Sequence, residues 1–177
     1  MRWSGWRATA PFKDSISPKV LEVVGAALSG LGADADPECW VAWGDDPRSR
    51  YMLFVPTASG LVQVNVRVTV PGEGPRAGGK VVRWSRIQLG ELAVEIQGGH
   101  RLVTFQVEAQ VFNGADAAGD AIAVFAQVLF AAVDGRPAPV AAKGRTAAQA
   151  KTGKAAGARS GAAATTRRLA APKGSPS

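Results

Sequence analysis

The chain has one cysteine, one histidine and one tyrosine in 177 residues, and each scarcity removes a class of chemistry. With Cys39 alone, an internal disulfide and a cysteine-rich metal site are both excluded, and a lone thiol suits a reducing compartment. A Ser-His-acid or Cys-His catalytic arrangement would have to use His100, which follows Gly98-Gly99 in a stretch that reads as an exposed hairpin tip. Cys39 has no basic neighbour in sequence and opens an apolar run, a setting that keeps a thiol protonated and inert. No apolar run approaches the ~18 residues of a membrane span. The charged start MRWSGWR leads into no apolar segment of the kind a signal peptide needs. The expectation is a cytoplasmic protein without membrane contact, not an enzyme, and with no cofactor.

Acidic residues are also missing, but only from one end. Residues 137–177 contain eight of the 21 Lys and Arg and none of the 14 Asp and Glu. Residues 1–136 therefore hold 13 basic against 14 acidic side chains, and the net charge of +7 belongs to the tail. That tail has 14 alanines, no aromatic residue, and only Val140 and Leu169 as larger apolar groups. It has too little to bury to offset an ordering cost of ~1–2 kcal/mol per residue. Glycines at 144, 153, 157 and 161 interrupt any alanine helix at roughly 1 kcal/mol each. The tail is expected to be disordered.

What is present before it is regular. Ser17 is a good N-cap and Pro18 suits a first helical position. Val20, Val23, Val24, Ala27, Leu28 and Leu31 then recur at three- and four-residue spacing until Gly30 and Gly32 end the run, which predicts a helix. From Cys39 the period becomes two. CWVAW and RYMLFV read as strands, and Val62, Val64, Val66, Val68 and Val70 alternate with polar residues as a strand with one buried side. VVRWSRIQL resumes a strand after a glycine-rich loop, and ELAVEIQ runs into the Gly98-Gly99 hairpin. Val103, Phe105, Val107, Ala109 and Val111 then read as one face of a single strand. Ile122, Phe125, Val128, Leu129, Ala132 and Val133 form the stripe of a second, longer helix, closed by Gly135.

The order predicts an α+β fold: an antiparallel β-meander of five or six strands, flanked by an N-terminal helix and a longer C-terminal amphipathic helix, then the disordered tail. Residues 1–14 read as an N-terminal arm or edge strand, 15–136 as the globular domain and 137–177 as the Ala/Gly/Lys/Arg-rich basic tail. By topology alone, a meander ending in a long helix resembles a PH-like barrel. The leading helix better suits small helix–sheet–helix chaperone-like domains.

Three stretches look like sites. GPRAGGK, Gly74 to Lys80, has phosphate-loop spacing, but Val81 stands where a Ser or Thr is needed and strand follows where a helix is needed. Asp34, Asp36, Glu38, Asp45 and Asp46 cluster around the first strand without the loop glycine that calcium coordination uses, so no metal is expected. Five tryptophans remain, read chiefly as core. Trp84 between Arg83 and Arg86 suggests an aromatic-basic face able to stack a base and hold a phosphate.

The functional expectation is a non-enzymatic binding domain of unspecified role. Lys143, Arg145, Lys151, Lys154, Arg159, Arg167, Arg168 and Lys173 of the tail would give it weak, non-specific association with nucleic acid or another polyanion through counterion release. By composition alone the tail resembles the Lys/Ala-rich tails of bacterial histone-like proteins. The alternative is a protein-interaction or chaperone-like module, homodimeric through a sheet edge or helix face, with an inert tail.

Overall fold

A computed structural model describes residues 1–8, 16–46, 48–69 and 72–136. Helix α1 (Pro18–Gly30) begins as its sequence dictates: the Ser17 side chain accepts a hydrogen bond from the Val20 amide, and Pro18 occupies the first turn. Seven strands follow: β1 (Val41–Asp46), β2 (Arg50–Pro56), β3 (Gly60–Arg67), β4 (Arg76–Arg83), β5 (Leu89–Gln97), β6 (His100–Val107) and β7 (Gln110–Ala115). Helix α2 (Ala117–Val133) closes the described fold, with Gly135 beyond it at φ 65°.

The class is α+β as expected, but the strands do not form one five- or six-stranded meander. They form two antiparallel sheets, ordered β1-β2-β3-β4 and β5-β6-β7. Two breaks explain the difference. VVRWSRIQL is not continuous strand, because Trp84–Arg86 makes a short 3-10 turn between β4 and β5. The strand expected through Val111 folds back at Glu108-Ala109, where Glu108 takes a positive φ of 54°. Glu108 is held there by its backbone and side chain together: its N–H donates to the Gln88 carbonyl at 2.8 Å, and its carboxylate accepts from the Gln88 N–H at 2.9 Å.

The first sheet is the middle layer. On one side, Tyr51, Leu53, Val55, Val62, Val64 and Val66 pack against Val20, Val24 and Leu28 of α1 and against Trp3, Trp6 and Trp40. On the other, Val41, Phe54 and Leu61 share a core with Val103, Phe105 and Phe112 of the second sheet and Ile122, Phe125 and Leu129 of α2. Phe54 meets Phe112 edge-on at 5.2 Å, a preferred aromatic geometry. Residues 1–8 belong to this body and are neither an edge strand nor a loose arm. Trp3–Ala8 is a 3-10 helix whose Trp3 and Trp6 are fully buried. Ser4 donates from backbone and hydroxyl to the Asp36 carboxylate at 2.7 and 2.8 Å. The expected tail, Val70 and the rest of the arm, residues 9–14, lie outside the described residues.

One consequence of the layering positions the site. The second face of β3 changes character along the strand: Leu61 and Gln63 are buried, whereas Asn65 and Arg67 are exposed. The second sheet and α2 cover only part of the first sheet and leave the other part open.

Candidate functional site

On that open part, Arg50 of β2 lies directly opposite Arg67 of β3, and Arg67 directly opposite Arg76 of β4. Residues in direct antiparallel register share a face, so three exposed guanidinium groups stand in one row, their strands ~5 Å apart. The next row on the same face reads Trp43, Met52, Asn65 and Gly78. Trp43 and Met52 are half-buried at the rim of the inner core, while Asn65 and Gly78 are open. Lys80 stands opposite Gln63 one row further on. Gly78 has nothing within 4 Å of where a side chain would start, so the face is open at that position.

The electrostatics are unbalanced but not bare. Arg76 is paired with Glu73 at 2.5 Å. Asp46 sits opposite Arg50 in register and accepts from the Arg48 N–H at 3.1 Å. Among the described residues, no acid makes an ion pair with Arg50, Arg67 or Lys80. Like charges directly opposite one another weaken a sheet. Guanidinium groups present paired N–H donors that match phosphate oxygens. A row of arginines beside a partly exposed indole is therefore suited to a phosphate backbone with a base against the ring.

The aromatic-basic face expected at Trp84 has a different character. Arg83 and Arg86 are exposed, but Trp84 is half-buried against the inner core, and its indole N–H donates to the Thr57 carbonyl at 3.2 Å. Arg83 ends β4 and Arg76 begins it, so the two basic groups are some 20 Å apart at ~3.3 Å per residue. Trp3, Trp6 and Trp40 are core, at 0%, 1% and 2% exposure, which leaves only Trp43 and Trp84 with any open ring surface. The eight basic tail residues, Lys143 to Lys173, lie outside the described residues.

The remaining candidates resolve into structural roles. The Gly74–Lys80 lookalike runs into β4, so Lys80 is mid-strand and no helix N-terminus faces it. Asp34 and Glu38 pair with Arg2 at 3.8 and 3.4 Å, and Asp36 holds Ser4; together they fasten the N-terminal segment. Asp46 belongs to the β1–β2 turn. Burial pushes the Cys39 thiol up to about 11. His100 is exposed, with Nδ1 at 2.8 Å from the Asp116 carboxylate, which also accepts from the Arg101 N–H at 3.2 Å. Those hydrogen bonds, His100 first, hold the Asp116 carboxyl below its usual range.

The arginine row was missed by sequence reasoning because its members are 17 and nine positions apart and meet only through strand register. Comparison with protein-family models, with curated proteins and with solved structures finds no match to this chain.

Proposed function

We propose that the chain is a non-enzymatic binding domain that holds nucleic acid, or another polyanion, on the open arginine face of its first sheet, with the basic tail adding non-specific attraction. The observation that carries this is the Arg50–Arg67–Arg76 row. A row of like charges of which only Arg76 is ion-paired costs the sheet stability, and a bound phosphate backbone reduces that cost. Lys80 and the half-buried Trp43 extend the face in a way that tolerates any base sequence. The side chains best placed for familiar catalysis are engaged elsewhere: His100 on Asp116, Cys39 as a protonated thiol.

The topology supports both comparisons made from sequence. The closing helix lies on the second sheet, in keeping with a PH-like barrel; α1 covers the outer face of the first sheet, in keeping with a helix–sheet–helix domain. A nucleic-acid partner and a lone thiol both fit the cytoplasm.

The test is anisotropy titration of a labelled mixed-sequence single strand across a salt series. Three proteins are compared: the wild type, a truncation after Gly135, and the full chain carrying Arg50→Gln, Arg67→Gln and Arg76→Gln. The triple variant is expected to bind more weakly and to lose roughly 2 from the salt slope, at ~0.7 per phosphate contact. Truncation is expected to lower affinity further without abolishing binding. Unchanged affinity and slope in the triple variant would remove the folded face from the proposal. Unchanged binding after truncation would remove the tail.

A further inference from the structure

We propose that the chain forms a homodimer by antiparallel pairing of β5 with β5 of a second copy, centred on Val94. This proposal is independent of the arginine face, which lies on the other sheet. β5 and β7 are the outer strands of the second sheet, and an edge strand offers unpaired backbone groups to any neighbour. Proteins usually guard such edges with lysine, proline, a bulge or a cover. From Leu92 to Gln97, β5 has no lysine and no proline, and its one register irregularity lies before Leu92. On one face its exposed side chains are apolar: Val94 is 56% and Ile96 74% exposed, the two most exposed large hydrophobic residues among the described residues, while Glu95 and Gln97 are exposed on the other face.

The backbone presents the same residues. Gly98 and Gly99 have φ of 59° and 83°, the primed turn of a two-residue hairpin, so Gln97 and His100 form its closing hydrogen-bonded pair. Antiparallel pairs alternate between bonded and non-bonded. Gln97, Glu95 and Ala93 therefore direct their N–H and C=O groups to β6. Ile96, Val94 and Leu92 direct theirs outward. The residues with exposed apolar side chains are the ones with free backbone donors and acceptors.

Charge selects the occupant and its register. Pairing about a two-fold axis at Val94 sets Val94 against its own copy and Leu92 against Ile96 of the second copy. Glu95 then faces Ala93 and Glu91 faces Gln97. Shifting the centre by one residue either way sets Glu95 against Glu95, or Glu91 against Glu95, and like charges directly opposite are unfavourable. Of these three registers, only the Val94-centred one joins apolar to apolar and keeps the carboxylates apart. A single strand pair falls at the small end of specific interfaces, below about 1,200 Å². The dimer is therefore concentration-dependent, with a dissociation constant on the order of micromolar to tens of micromolar.

The full chain is examined by sedimentation velocity between about 1 and 500 µM, a range spanning that affinity. The wild type is expected to pass from monomer to dimer, and Val94→Lys to remain monomeric with unchanged circular dichroism and melting temperature, since the position is exposed. Register is read by oxidative cross-linking: Val94→Cys should form a disulfide-linked dimer rapidly, and Glu95→Cys should not, with the wild type controlling for Cys39. A strict monomer at the highest concentration overturns the proposal. So does a dimer that Val94→Lys leaves intact, or cross-linking of Glu95→Cys as fast as Val94→Cys.

Discussion

Arg67 lies in direct register with Arg50 on one side and Arg76 on the other, so its charge has a like neighbour on both flanks. Exposed like charges in register cost ~0.2–1 kcal/mol each and are screened by salt. Arg67→Gln should therefore stabilise the fold by a few tenths to about 1 kcal/mol in low salt, with the gain shrinking at 0.5 M salt. Urea unfolding at two ionic strengths measures it. The same variant should weaken nucleic-acid binding, so stability and affinity move in opposite directions. If both fall together, the row is not a site held against the sheet's own repulsion.

Adjacent glycines on β4 should respond in opposite ways. Gly78 opens onto the arginine face with nothing near it, whereas a side chain at Gly79 would start 2.1 Å from the Gln63 carbonyl oxygen of β3. Gly78→Asp should leave the melting temperature nearly unchanged and reduce polyanion binding by placing a carboxylate among the guanidinium groups. Gly79→Ala should destabilise by about 1–3 kcal/mol, the usual range for overpacking. Thermal melts and anisotropy on the pair separate folding from binding.

Cys39 should make the fold sensitive to alkali. Burial pushes its folded pKa to about 11, above the ordinary thiol value. The neutral thiol's contribution is therefore complete below pH 9 and is lost as pH rises towards 11. Buried Tyr51, whose ionisation is also pushed up by burial, acts in the same sense. Ellman's reagent at pH 8 should react much more slowly with native than with unfolded protein. Cys39→Ala should make the fall of stability between pH 9 and 11 shallower.

Asp116 governs the acid side. Its carboxyl is lowered by hydrogen bonds from His100 and the Arg101 N–H. Its contribution is present above the ordinary carboxylate range, near pH 4, and is lost as pH falls through the lower folded value. Carbon-13 titration should place the Asp116 midpoint below the ordinary aspartate range. Asp116→Asn should flatten the acid limb of the stability curve.

Several features were legible because they are local. Ser17-Pro18 and the three- and four-residue spacing mark α1, Gly98-Gly99 marks its hairpin, and the loss of periodicity after Gly135 marks the end of the amphipathic pattern. Glu108 was not legible. It turns the chain at a positive φ without a glycine, through a clasp on Gln88 that is 20 positions away. The apolar alternation across it therefore reads as one strand with Val111 on the face of Val103 and Phe105, whereas Val111 lies opposite Gln106 and is 40% exposed. Trp3 and Trp6 lie between arginines in a segment that reads as an arm or edge strand, yet both are buried against the first sheet in a 3-10 helix.

The basic segment was the strongest functional signal in the sequence, and the charge count alone assigned it to residues 137–177. By itself the sequence determined the helices, the strand periods and the near-neutral balance of residues 1–136, because each depends on residues within a short window. Only the tertiary structure decided which half of the first sheet stays open, and that Arg50, Arg67 and Arg76 share a row there. Register and coverage depend on which strands and helices meet, and no single window of sequence contains that information.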